Sequence, residues 1–154
     1  MSKRRSKLFA IGYEQTPPKA VLDELVRAGV QLVVDVRAVA SSRRPGFSKT
    51  QLAAGLDEQG IGYLHLRGLG TPKEGRLAAR AGDFTALERI YAGHLKTPQA
   101  RQELDELRSL IGKVGPICLL CYERDHRHCH RRFIAEIIEE KDKVAVENLA
   151  AAQM

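Results

Sequence analysis

The chain has 154 residues, 44% of them hydrophobic and 29% charged, and a formal net charge of +6. That is enough chain to bury a core without a disulfide or a metal, within one domain of ordinary size and globular composition. The longest apolar run, PICLLC (116–121), falls far short of the roughly 20 residues of a membrane span, and three cysteines do not make a secreted disulfide framework, so no membrane partner and a cytoplasmic location are expected.

Residues 1–7, MSKRRSK, form a basic tail in which Lys3, Arg4, Arg5 and Lys7 carry four of the six net charges. The tail lacks the apolar region and small-residue cleavage site of a secretory signal. It suits solubility or weak contact with nucleic-acid phosphates. SKLFAIGY (6–13) predicts a first strand. TPPKAVLDELVRAG (16–29) predicts a helix, with Thr16 as cap, Pro17 and Pro18 in the first turn, and Val21, Leu22, Leu25 and Val26 on one face; Gly29 closes it. VQLVVDVR (30–37) is continuously apolar and β-branched, as in a strand buried on both faces.

A basic loop follows, AVASSRRPGF (38–47), then a capped helix, SKTQLAAGLDEQG (48–60), and a short strand, IGYLHLRG (61–68). Residues 69–97 read as a long insertion with helical pieces and a flexible front. Residues 103–111 are amphipathic, aligning Leu104, Leu107, Leu110 and Ile111. GPICLLCYE (115–123) predicts a buried strand. CHRRFIAEIIEEK (129–141) predicts a helix with Phe133, Ile134, Ile137 and Ile138 inward, and KVAVENL (143–149) a last strand. Strands alternating with helices predict one α/β domain over 8–150, a mostly parallel sheet with helices on both faces in a Rossmann-like layer sandwich.

Ligands of such sheets bind outside the carboxyl ends of the strands. Asp35 and Arg37 are two apart at the end of one strand, and Cys121 and Glu123 at the end of another, so each pair shares a face. Asp35, Cys121 and Glu123 are the catalytic candidates, with Glu14 a weaker member of the same rim. The alternative is structural: Asp35 pairing with Arg37, and Glu123 with Arg124 or Arg127.

The stretch CYERDHRHCHRR (121–132) admits three chemistries. Cys118, Cys121, Cys129 and His130 suggest a metal site, but an offset of three on a strand sends Cys118 and Cys121 to opposite faces. Cys118 is then a core thiol. Cys121, Cys129 and His130 remain as a partial ligand set, and no metal or other cofactor is expected. A thiolate at Cys121 or Cys129 is favoured by the surrounding cations. Arg127 lies six residues after Cys121, as in a cysteine-phosphatase loop, but Tyr122, Glu123 and Asp125 suit a phosphate cradle poorly. Finally, His130, Arg131 and Arg132 open the last helix, where the macrodipole disfavours cations by ~0.3–1 kcal/mol each. A bound anion would offset this, held by the helix N-terminus and arginine forks. Arg37, Arg43 and Arg44 could complete the cradle, and internal pairing of these arginines is the alternative.

The blocks AIGYEQ, VVDVRAVASSRRPGFSKTQL, GIGYLHLRGLGTPKEGR and CLLCYERDHRHCHRRFIAE resemble, in order, a bacterial and archaeal family known as domain of unknown function 488. The resemblance runs from about Leu8 to Ala135 and implies a compact α/β fold. The family's recurring positions fall on Gly12, Asp35, Arg37, Ser42, Arg43, Phe47, Tyr63, Leu69, Gly70, Cys121, Glu123, Cys129, His130 and Arg131. Arg127 and His128 are outside that pattern, and Glu14 stands where relatives carry a serine. The resemblance implies no reaction.

The function expected from these readings is binding of a phosphate-bearing small molecule or nucleotide in a pocket at the strand ends. Arg37, Ser42, Arg43, His130 and Arg131 would hold the anion, with acid–base or thiol chemistry alongside. A non-catalytic, DNA-repair-linked accessory module and a thiol or metal redox sensor are the alternatives. Turnover is left open.

Overall fold

Residue parity along the strands divides the apolar side chains between two faces of one sheet. The computed structural model describes residues 8–40, 42, 44–125 and 129–151. The basic tail, Arg43, Arg127 and His128 therefore lie outside the described residues. The strands are β1 (Leu8–Gly12), β2 (Leu32–Asp35), β3 (Gly62–His65), β4 (Ile117–Cys121) and β5 (Val146–Leu149). They lie in the order β3-β2-β4-β1-β5, and every pairing is parallel. The helices are α1 (Pro18–Arg27), α2 (Lys49–Glu58), α3 (Lys73–Arg80), α4 (Phe84–His94), α5 (Pro98–Leu110) and α6 (Arg131–Asp142). The α/β class, the parallel sheet and its two-sided cover stand as expected, in a single compact domain.

On one face, Phe9, Ile11, Val33, Cys118 and Leu120 pack against Val21 and Leu25 of α1 and Leu52 and Leu56 of α2. On the other, Leu8, Ala10, Val34, Leu119 and Cys121 meet Tyr91 of α4, Leu107 of α5, and Ile134 and Ile138 of α6. Cys118 and Cys121 thus occupy opposite faces, as parity requires. Each fully buried aliphatic side chain contributes roughly 1.5–3 kcal/mol of hydrophobic stabilisation. Every residue of central β4 is buried, which is why its sequence is apolar without alternation.

Three local readings need correction. Thr16 does not cap α1, because its hydroxyl donates back to the Tyr13 carbonyl at 2.6 Å and Pro17 takes the cap position. Ser48 occupies the cap position of α2 without a capping hydrogen bond; its hydroxyl joins the preceding loop, accepting from the Ser42 amide at 2.9 Å. The front of the 69–97 segment is a fixed joint. Leu69 is fully buried in a short 3-10 turn, Arg67–Leu69, and Thr71 is buried just after it. A side chain on Gly70 would strike the Ala38 backbone. This close approach locks the segment against the loop leaving β2.

The sheet order makes β4 the switch point. The connection leaving β2 crosses on the α2 face toward β3, and the one leaving neighbouring β4 crosses on the α6 face toward β5. The crevice between such strand ends is the general ligand position in open α/β sheets.

Candidate functional site

A cavity of about 260 Å³ lies at this switch point. Its floor is Cys121, the last residue of β4, with Cys129 and His130 from the start of α6. Arg37 and Ala38 approach from β2, and Tyr122 and Glu123 from the end of β4. Thr71, Arg76 and Arg80, from α3 and the joint before it, form the remaining polar wall.

The β2 side is held by a buried polar network. Asp35 is fully buried and pairs with Arg37, whose Nη2 lies 2.7 Å from Oδ2 and whose Nε lies 2.9 Å from Oδ1. Nη1 of Arg37 donates to the Phe47 carbonyl at 2.7 Å and to the Tyr13 hydroxyl at 3.1 Å. The Tyr63 hydroxyl donates to Asp35 Oδ2 at 2.5 Å. Burial alone would pull the Arg37 guanidinium down, but the hydrogen bonds and charge of Asp35 outweigh it and hold it above its ordinary range. Tyr63 is pushed up by burial and by Asp35. The network takes most of Arg37's donor capacity, so this residue shapes the cavity wall more than it offers a fork to a ligand. Asp35 is behind the wall, not on it.

The β4–α6 side explains why α6 opens on cations. Arg131, almost fully buried, turns back beneath the loop instead of out along the helix. Its Nη1 donates to the Glu123 carbonyl at 2.5 Å and Nη2 to the Arg124 carbonyl at 3.1 Å. Nη1 also lies 2.7 Å from Cys121 Sγ. Burial draws its pKa down to about 10, which leaves it charged at neutral pH. Its Nε has no hydrogen-bond partner among the described residues, and no carboxylate hydrogen-bonds to it there. Arg132 instead reaches outward, 3.6 Å from Glu136.

His130 Nε2 lies 2.6 Å from the Val36 carbonyl. A carbonyl only accepts, so Nε2 carries the hydrogen. Burial lowers the imidazole pKa to about 4, so at neutral pH the ring is neutral and Nδ1 is an acceptor. Cys129 Sγ lies 3.6 Å from that nitrogen. The sulfurs of Cys121 and Cys129 are joined in a disulfide, so the sequence-proposed thiol candidates form a pair. With His130 they also place three potential ligand atoms within 4.8 Å of one another. Burial pushes the Cys118 thiol well up, as suits an inert core residue.

Glu123 is half-buried, and burial raises its carboxyl pKa, partly offset by its own backbone amide, Arg131 and Arg80. Glu14 accepts from the Arg124 amide at 3.1 Å and lines a smaller neighbouring cleft together with Glu123 and Arg80. Ser42 is occupied within its loop, its hydroxyl accepting from the Arg44 amide at 3.1 Å, and it does not line the cavity. Arg44 donates to the Thr16 carbonyl at 2.6 Å.

Sequence reasoning missed Arg76 and Arg80. They stand one helical turn apart on α3, and the signal was the spacing in GRLAAR (75–80). Arg76 Nη1 donates to the Thr71 carbonyl at 3.0 Å.

Gly12, Asp35, Arg37, Phe47, Tyr63, Cys121, Glu123 and His130 thus gather at the carboxyl ends of the strands. A family description, Domain of unknown function DUF488, matches residues 17–138. The chain belongs to that family. No curated protein and no solved structure matches it. Gly12 precedes the matched span but lies at the same strand ends: a side chain there would strike the Glu123 carbonyl. In this chain β1, β2 and β4 thus end beside the same cavity. No helix among the described residues is long and apolar enough to cross a membrane.

Proposed function

We propose that this DUF488 protein binds a phosphate-bearing small molecule, a nucleotide among the candidates, in the cavity at the carboxyl end of β4. The supporting observation is an excess of cationic groups. Arg76 and Arg80 line the cavity, buried Arg131 lies behind its floor, and among the described residues Glu123 is the sole carboxylate on the wall. A low-dielectric cleft with this balance attracts anions, and guanidinium groups recognise phosphate through paired donors. Tyr122, 43% exposed at the rim, offers a ring face to a base. Glu123, its carboxyl raised by burial, is the group placed for proton transfer if turnover accompanies binding. The reading sits with a cytoplasmic location.

Calorimetric titration with inorganic phosphate and nucleoside phosphates tests this. Binding to the wild type, weakened at least about tenfold in Arg76→Ala/Arg80→Ala, is the expected result, equivalent to about 1.4 kcal/mol. No binding, or equal binding by both proteins, would overturn it.

A nucleic-acid role has its own support. A shallow cleft lined by Lys49, His65 and Arg67 adjoins the cavity at Ala38, and such a surface suits a phosphate backbone. Titration of single- and double-stranded DNA into Lys49→Ala/Arg67→Ala separates this reading from the first.

A further inference from the structure

The cysteine pair is left unused by anion binding, and its two sulfurs, joined in a disulfide, have different neighbours. Arg131 Nη1 sits 2.7 Å from Cys121 Sγ, while no carboxylate hydrogen-bonds to this buried guanidinium among the described residues. A disulfide sulfur is a weak acceptor; a Cys121 thiolate would give this cation a direct anionic contact, where Glu123 and Asp125 act on it only through longer-range charge. Cys129, by contrast, faces the Nδ1 acceptor of His130, whose other nitrogen is fixed on the Val36 carbonyl. One sulfur is therefore placed as a thiolate and the other as a thiol with a proton acceptor. Both line the cavity, although neither is more than 2% exposed. A small oxidant in the cavity can reach them, whereas a polypeptide disulfide cannot.

We propose that Cys121 and Cys129 are a peroxide-reactive dithiol, with Cys121 as nucleophile and Cys129 as resolving thiol. The Cys121 thiolate attacks one oxygen of a hydroperoxide. The S–O bond forms as the O–O bond breaks, leaving Cys121 sulfenic acid and hydroxide, or alkoxide from an organic hydroperoxide, which is protonated to water or alcohol. Cys129 then attacks the sulfenic sulfur, its proton passing in the same step by way of His130 Nδ1 toward the leaving oxygen. The S–S bond forms, and the departing hydroxide takes that proton to leave as water. Two thiols are oxidised and one peroxide reduced, and a small dithiol restores the starting state by exchange. A metal at Cys121, Cys129 and His130 is disfavoured by the same contact, since Arg131 would set a positive charge against the ion.

The proposal does not depend on phosphate binding, and its test uses a different readout. The reduced full chain is mixed with one equivalent of hydrogen peroxide, followed by thiol titration and intact mass. The expected result is loss of two thiols and two hydrogens, with Cys118 remaining free. The reaction should run at least about tenfold faster than with free cysteine at neutral pH, as a largely ionised thiol allows. Cys129→Ser should stop at a sulfenic acid, trapped as one dimedone adduct on Cys121, and Cys121→Ser should react no faster than free cysteine. Rates equal to free cysteine in the wild type, a trapped adduct on Cys129, or stoichiometric zinc binding that protects both thiols would each overturn the proposal.

Discussion

Arg37 holds Asp35 through two guanidinium nitrogens, Nε and Nη2, with the carboxylate fully buried and the arginine 6% exposed. Removing one partner leaves the other charged and out of water. Arg37→Ala is therefore expected to cost about 3–5 kcal/mol, read as a lowered denaturant midpoint. Arg37→Lys should recover little, because a single ammonium cannot also span the Phe47 carbonyl and the Tyr13 hydroxyl. Full stability in Arg37→Lys would contradict this account.

Gly12 ends β1 against the backbone of Glu123, where a Cβ has no room. Gly12→Ala should destabilise by about 3 kcal/mol or more, the upper end for overpacking, because backbone has to move. Gly93→Ala is the control: it lies exposed within α4 with nothing near its Cβ, and a gain of about 0.5–1 kcal/mol is expected. Thermal unfolding of the two variants gives the comparison.

His130 makes stability pH-dependent. Its folded pKa is about 4, below the ordinary 6.5 or so. Between these values the unfolded chain binds a proton that the folded chain refuses. Stability from this residue is full above the ordinary value and is lost as pH falls toward 4, by on the order of 3 kcal/mol in all. Glu123 works the opposite way, because its raised folded pKa keeps a proton that the unfolded chain releases as pH rises. His130→Gln preserves an N–H for the Val36 carbonyl without the titration. Its denaturation profile should be flatter than the wild type's across this window, and parallel profiles would refute the assignment.

Tyr91 is fully buried, and its hydroxyl donates to the Leu69 carbonyl at 2.6 Å, tying α4 to the joint before α3. Tyr91→Phe should cost about 1–3 kcal/mol by leaving that carbonyl unsatisfied. Hydrogen exchange should rise first in the amides of residues 69–76, and an unchanged pattern there would sink the idea that this bond fixes the cavity's α3 wall.

The sequence was most legible where one physical rule dominates. Period-two parity in ICLLC separated Cys118 from Cys121, and continuous apolarity marked β2 and β4 as central strands. It was least legible where polar groups had several partners open to them. Thr16 has the chemistry of a cap, but its own turn's carbonyl is closer. Arg131 reads as an outward cation on a helix start, and only the fold shows the carbonyls of the loop after β4 awaiting it. The eight-residue interval between Cys121 and Cys129 could not reveal their pairing, since it depends on how the loop returns to the sheet. Arg76 and Arg80 were hidden by the reading of 69–97 as an insertion, although tertiary contact makes that segment a wall of the cavity.

The place of β4 between β1 and β2 bears on how a nascent chain acquires this fold. When β1, β2 and β3 have left the ribosome, β2 and β3 can pair, but β1 has no neighbour among them. Leu8 must wait for Ile117 and, later, Val146. Such distant pairings slow folding and leave strand edges exposed meanwhile. Insertion of β4 joins the two halves and sets Cys121 in the cavity floor, which Cys129 and His130 complete as α6 follows. The chain therefore closes its sheet and its cavity late, and a fragment ending before Ile117 would hold at most the β2–β3 pair.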